Sequence, residues 1–220
     1  MLVAERTSRR TWLAHCTALL AAASALPRAR AAVGGAQRIL VVGDSLSAEY
    51  GLERGSGWVS LLEKRLAGEK IPAAVVNASI SGDTTSGGRS RLAALLKQHQ
   101  PTHVILELGS NDALRGLPLS MTQSNLAQMA HDARAAGARV LLVGMQVPPN
   151  YGRKYSDDFA ALFVAVAKQE GAALVPFMLK GVADVPNAES LFQADRIHPR
   201  EQAHPTILAN IWPVLAPMLR

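Results

Sequence analysis

Ser45 follows an apolar run, in the order Gly43-Asp44-Ser45-Leu46-Ser47. A serine there would sit on a turn with its hydroxyl exposed, and it needs a neighbouring base to become a nucleophile at neutral pH. Asp195-Arg196-Ile197-His198-Pro199, near the end of the chain, can supply that base. Residues three apart on one helical turn point the same way. The Asp195 carboxylate could then hold Nδ1–H of His198 while Nε2 faces Ser45, the division of labour of a Ser-His-Asp triad. Two further loops offer hydrogen-bond donors. Gly82 lies in Ser79-Ile80-Ser81-Gly82-Asp83-Thr84, and Asn111 in Gly109-Ser110-Asn111-Asp112. The N–H groups of Ser45 and Gly82 with the Asn111 amide would make a three-donor oxyanion hole. The chemistry would be acyl transfer.

Each signal has a plainer reading. Asp44-Ser45 could be a helix cap, Gly82 a loop glycine, Asn111-Asp112 a turn. Asp195 and His198 could be a surface ion pair, or two metal ligands without further partners at suitable spacing. The sequence is not G-x-S-x-G, so an α/β-hydrolase nucleophile elbow is not indicated. His204, six positions after His198, is a rival base, but it reads as a surface or helix-start residue. His99, His103 and His131 read as surface or packing residues. Asp44 and Asp112 are expected to brace loops through backbone N–H groups. Leu114, Leu117, Leu119, Tyr151, Tyr155 and Met145 are candidates to line an acyl pocket; packing is the plainer role for Tyr151, Tyr155 and Met145. Residues 148–152 would form part of its wall.

These residues need a frame. Apolar runs at 38–42, 73–77, 103–108, 139–146 and 173–176 read as buried strands. Segments 58–66, 89–98, 120–136, 157–170 and 201–219 have helical spacing, with Pro213 expected to kink the last. This alternation implies an α/β fold, a mostly parallel sheet of five strands with helices on both faces. Ligands of such sheets bind beyond the carboxyl ends of the strands. Ser45, Gly82 and Asn111 each follow one.

The chain has 220 residues, 49% hydrophobic and 18% charged, enough for one sizeable core. Its first 31 residues differ from the rest. Arg6, Arg9 and Arg10 head an apolar stretch from Trp12 to Leu26, and Ala29-Arg30-Ala31 offers a cleavage site. That is the layout of an export signal; the paired arginines also suit a twin-arginine signal. Residues 32–220 would be a single domain, periplasmic or secreted. Five of the 23 Lys and Arg and one of the 17 Asp and Glu fall in the leader, which leaves 18 basic and 16 acidic residues, a net of +2. The basic character belongs mostly to the leader, so nucleic acid is not an expected partner. Cys16, the only cysteine, lies in the leader too, which excludes a cysteine nucleophile and thiolate metal sites from residues 32–220. No stable membrane anchor, metal or cofactor is expected, and a monomer is.

The four motifs together, in the order Ser45, Gly82, Asn111, Asp195-x-x-His198, resemble the SGNH (GDSL-type) hydrolases over residues 38–215. Segments 75–84, 95–101 and 111–117 are also similar to the bacterial periplasmic thioesterase I, lysophospholipase and arylesterase group; Ser110 stands where that group often has Gly. The resemblance implies a flavodoxin-like α/β/α sandwich. It implies a Ser45–His198–Asp195 triad, an oxyanion hole at Ser45, Gly82 and Asn111, and a mobile loop at 113–118. It also implies hydrolysis of small or lipid-like esters and thioesters without a cofactor. A carbohydrate O-acetyl esterase is the alternative within the fold, and Leu114, Leu117 and Leu119 argue against its polar cleft. A non-catalytic periplasmic binding protein is the alternative outside it, and a metallohydrolase is poorer for want of ligands.

Overall fold

The computed structural model describes residues 36–220. The expected leader, Cys16 included, lies outside them. Five strands form the sheet: β1 (Gln37–Gly43), β2 (Ala73–Asn77), β3 (His103–Glu107), β4 (Arg139–Val143) and β5 (Ala173–Val175). Their order is β2-β1-β3-β4-β5 and every pairing is parallel. The continuous apolar runs sit at the centre. Leu40, Val41 and Val42 of β1, Ile105 and Leu106 of β3, and Leu141 and Leu142 of β4 are fully buried. Each such side chain contributes roughly 1.5–3 kcal/mol by leaving water.

Helices cover both faces. α1 (Trp58–Gly68) and α6 (His204–Leu215) pack together, against β2 and β5 respectively. α2 (Thr85–His99), α4 (Leu119–Ala135) and α5 (Arg153–Glu170) pack side by side, against β1 and β4. α3 (Ser110–Leu114) is a single turn that leads into α4. The result is the three-layer α/β/α sandwich the alternation implied, with a wholly parallel sheet. The chain goes from β1 to one side for β2, then crosses to the other for β3. This reversal leaves a crevice beyond the carboxyl ends of β1 and β3.

Differences from the sequence reading are local. α2 starts four residues earlier than its apolar spacing shows, because the Thr84 hydroxyl caps it by accepting from Gly87 N at 3.2 Å. α5 likewise starts at Arg153, in a polar first turn. The Asn111-Asp112 segment is helical rather than a plain turn: Ala113 N donates to Gly109 O at 3.1 Å. α6 runs through Pro213 to Leu215, and the chain then tightens into a 3₁₀ turn at Ala216–Leu219. Among the described residues no helix is long and apolar enough to cross a membrane.

Candidate active site

β1 ends at Gly43, and the chain turns at once. Ser47 N and Ala48 N donate back to Asp44 O at 3.2 and 3.0 Å, which leaves Ser45 half-buried at the crest of the turn. Asp44 beneath it is buried. Its Oδ1 accepts from Leu46 N at 3.0 Å, so it braces the turn as expected. Its Oδ2 accepts from the Asn111 amide at 3.0 Å. The carboxylate thus ties the turn after β1 to the first turn of α3, after β3. One N–H of the Asn111 amide is used there, and the other remains free to donate.

β2 delivers the third element. The chain beyond it is bound to β1, Ala78 N donating to Val41 O at 2.9 Å and Ile80 N to Gly43 O at 3.0 Å. Gly82 follows with φ +77, a left-handed conformation that suits glycine. Its carbonyl accepts from Arg115 at 2.7 Å, so α3's C-cap residue steadies the loop. Among the described residues no acceptor engages the N–H of Ser45 or of Gly82.

Asp195 and His198 come from a tight turn at the opposite side of the crevice. Arg196 takes the left-handed region, φ +58, and this lets Asp195 Oδ1 accept from Ile197 N at 2.9 Å and His198 N at 3.0 Å. Asp195 Oδ2 lies 2.7 Å from His198 Nδ1, and His198 Nε2 lies 2.8 Å from Ser45 Oγ. The bond to carboxylate fixes the proton on Nδ1, so Nε2 can accept from the serine hydroxyl. Loss of solvation would raise the Asp195 pKa, but the His198 N–H and imidazole, the Ile197 N–H and the His198 charge outweigh it and hold the acid down at about 2. Asp44 moves the other way. Burial pushes it up to about 6, against the lowering from Leu46 N–H, His198 and Asn111.

All six principal positions, Asp44, Ser45, Gly82, Asn111, Asp195 and His198, thus converge. Leu114 is exposed on α3 and Leu117 half-buried just after it. Tyr151 stacks with Tyr155, centroids 5.9 Å apart, and Tyr155 continues to Phe159 at 6.5 Å, an aromatic row along the start of α5. Met145 is buried. Asp112 is a brace within the protein, accepting from Thr85 N at 2.8 Å and from the Thr85 hydroxyl. His204 starts a helix as one of its two readings had it, being the first residue of α6, but it is not on the surface: it is buried, and its Nδ1 accepts from Trp58 N at 3.0 Å. It therefore faces the start of α1 and is no rival base. His103 is a packing residue, Nε2 lying 2.8 Å from Met218 O.

Sequence reasoning missed two groups. Tyr50, half-exposed, packs its ring against the His198 imidazole, centroids 4.4 Å apart and planes tilted by 39°. Glu107, at the end of β3, is buried directly beneath Asp44. Neither has a local sequence signal, since each acts on a residue far along the chain. Among the described residues no cluster of three or more His, Cys, Asp or Glu could hold a metal ion.

A sheet-end serine hydrogen-bonded to an Asp-paired imidazole, with unengaged amides in the neighbouring loops, is the working set of a serine acyl hydrolase. The chain belongs to the GDSL-like lipase/acylhydrolase family, whose profile matches residues 41–205. It is 55% identical to Esterase TesA of Pseudomonas aeruginosa over 184 residues, 84% of this chain and 90% of that protein. It is 43% identical to the Thioesterase 1/protease 1/lysophospholipase L1 of Escherichia coli K12, over 78% of this chain and 80% of that protein. The crystal structure of the psychrotrophic esterase EstA from Pseudoalteromonas sp., inhibited by monoethylphosphonate, superposes with a TM-score of 0.78 at 39% identity, covering 83% of this chain and 98% of that one.

Proposed function

We propose that this chain is an exported hydrolase of carboxylic esters and thioesters with acyl chains, and that Ser45, His198 and Asp195 carry the reaction. The observation that carries the reading is the unbroken chain from Asp195 Oδ2 to His198 Nδ1 at 2.7 Å and from His198 Nε2 to Ser45 Oγ at 2.8 Å. Ser45 Oγ attacks the carbonyl carbon as His198 takes its proton. Asp195 keeps the imidazole oriented and offsets its charge. The oxyanion is received by the N–H groups of Ser45 and Gly82 and by the free N–H of Asn111. His198 then protonates the departing alcohol or thiol, and water attacks the acyl-enzyme by the same route.

The names of the relatives, esterase and thioesterase/lysophospholipase, support acyl substrates for this chain. The apolar side chains of Leu114 and Leu117 beside Asn111 suit an acyl chain or an apolar leaving group. Residues 1–31 would be the leader that delivers residues 32–220 to the periplasm or outside.

The test is turnover of p-nitrophenyl esters from acetyl to dodecanoyl, with acyl-CoA thioesters in parallel, by the wild type and Ser45→Ala. Turnover of medium or long chains by the wild type alone supports the reading. Turnover of acetyl esters alone would move the assignment to an acetyl esterase. No turnover, or equal rates from both proteins, would leave a binding protein on a hydrolase fold.

A further inference from the structure

The proposed mechanism uses Asn111 but gives no work to the buried acid beneath it. Glu107 is 1% exposed and Asp44 is 1% exposed, and the two carboxyl groups are in contact. The hydrogens around them can be counted. Trp58 Nε1 only donates, and it donates to Ser47 Oγ at 3.2 Å. Ser47 must therefore spend its single proton elsewhere, and it donates to Glu107 Oε2 at 2.6 Å. Asp44 N donates to the same oxygen at 3.3 Å. Glu107 Oε2 is thus an acceptor twice over, so a proton on Glu107 belongs on Oε1.

Asp44 is the better supported of the two as the carboxylate, since a donor reaches each of its oxygens. Its Oδ1 accepts from Leu46 N and its Oδ2 from the Asn111 amide, each at 3.0 Å. Two adjoining buried carboxyls do not both ionise. Burial first, and then the charge of Asp44, push Glu107 well above the usual range for a carboxyl. The other groups that act on Asp44 are His198, whose charge favours the carboxylate, and Asp83, whose charge opposes it; Asp83 is itself paired with Arg91 at 2.8 Å. Gly43 shows how close the packing is. A Cβ there would lie 2.8 Å from both Glu107 Oε2 and Ser47 Oγ, so any larger residue would separate them.

We propose that Glu107, which touches no substrate, is a positioning residue for the oxyanion hole: its protonated carboxyl holds Asp44 as the one carboxylate of the pair, and Asp44 in turn fixes the Asn111 amide with its second N–H free to donate. The line of contact runs Trp58, Ser47, Glu107, Asp44, Asn111. It anchors a transition-state donor to the floor of the sheet. The inference rests on the reading of Asn111 as an oxyanion donor.

The experiment measures kcat and KM on p-nitrophenyl butyrate for Glu107→Met and Glu107→Gln, each in the wild-type and Asn111→Ala backgrounds, with melting curves as a check on folding. Met fills the space and removes the donor and acceptor; Gln keeps both. Oxyanion donors act in the transition state, so Glu107→Met is expected to lower kcat by about 10- to 100-fold with KM within about threefold. Glu107→Gln is expected to restore kcat to within about fivefold of wild type. In the Asn111→Ala background, Glu107→Met should cost less than about threefold more, because the two act as one unit. An equal loss in both backgrounds, a Gln variant as poor as Met, or a loss confined to KM would overturn the proposal. Should Glu107→Met not fold, Asp44→Asn takes its place in the same cycle, with the same outcomes. Ser45→Ala is the control: if it is as active as the wild type, or if the wild type is inactive, the esterase reading fails and this inference falls with it. Loss of non-additivity in a Ser45-dependent enzyme overturns this inference alone.

Discussion

The two sides of the crevice are built on opposite plans. On one side, Ser45 and Asn111 stand on the ends of β1 and β3, and beneath them lie buried Asp44, Glu107, Ser47 and Trp58. The partners are far apart in sequence: Ser47 and Glu107 are 60 residues apart, Asp44 and Asn111 67. On the other side, Asp195 and His198 sit on an exposed turn whose bonds to the Asp195 carboxylate span two or three residues. Among the described residues, its only distant polar tie at the reacting atoms is His198 to Ser45, 153 positions away. The plans match the work. Oxyanion donors must be fixed before charge develops, since reorienting them during reaction would cost part of what they contribute. A proton carrier needs the right tautomer and a short reach, which a local turn supplies.

Substitutions should separate the two plans. Asp195→Asn should give the largest effect on turnover, about a 10⁴-fold fall in kcat, because the amide favours the wrong imidazole tautomer. The melting temperature should barely move, as an exposed pair contributes no more than about 1 kcal/mol. A steady-state assay with a melting curve on the same sample checks both. Asn111→Ala should follow, with kcat down roughly 100- to 1000-fold and KM little changed. A larger loss from Asn111 than from Asp195 would reverse the ranking of the two sides.

Stability against pH should slope in opposite directions for the two acids. Asp195 is held below its ordinary value of 3.8, at about 2. Its contribution is present above pH 3.8 and is lost as pH falls toward 2, so Asp195→Asn should lose ground to the wild type as pH rises through that window. Asp44 is raised from 3.8 to about 6. Its contribution is full below pH 3.8 and is lost as pH rises toward 6, so Asp44→Asn should gain ground over that range. Urea denaturation at half-unit pH steps reads both slopes, and equal signs would break the contrast. The smallest effect belongs to Arg196→Gly. Relief of the left-handed strain opposes the greater freedom of the unfolded chain, leaving stability within about 1 kcal/mol by thermal melting.

Legibility follows the same division. Ser45, Gly82, Asn111 and the Asp195–His198 pair could be read because each follows a strand end or sits within one short motif. The sandwich could be read because residues 38–42 and 103–108 are continuous apolar runs of the kind parallel strands need. Glu107 hides inside one of those runs, and its meaning depends on Asp44 and Ser47, which only the β1–β3 pairing brings near it. Tyr50 and His204 are likewise defined by distant partners, His198 and Trp58. α3 escaped because five residues carry no usable periodicity, and the starts of α2 and α5 because their first turns are polar.

The central claim is that Ser45 is the nucleophile, and covalent labelling tests it most directly. The purified chain would be treated with an alkyl fluorophosphonate and analysed by intact mass and peptide mapping, beside Ser45→Ala. The account predicts one phosphonyl group per chain, carried on Ser45, with none on the variant and with loss of ester turnover in step with labelling. A label on Ser47, Ser79 or Ser81, or full turnover by a chain that Ser45→Ala leaves active, would contradict it.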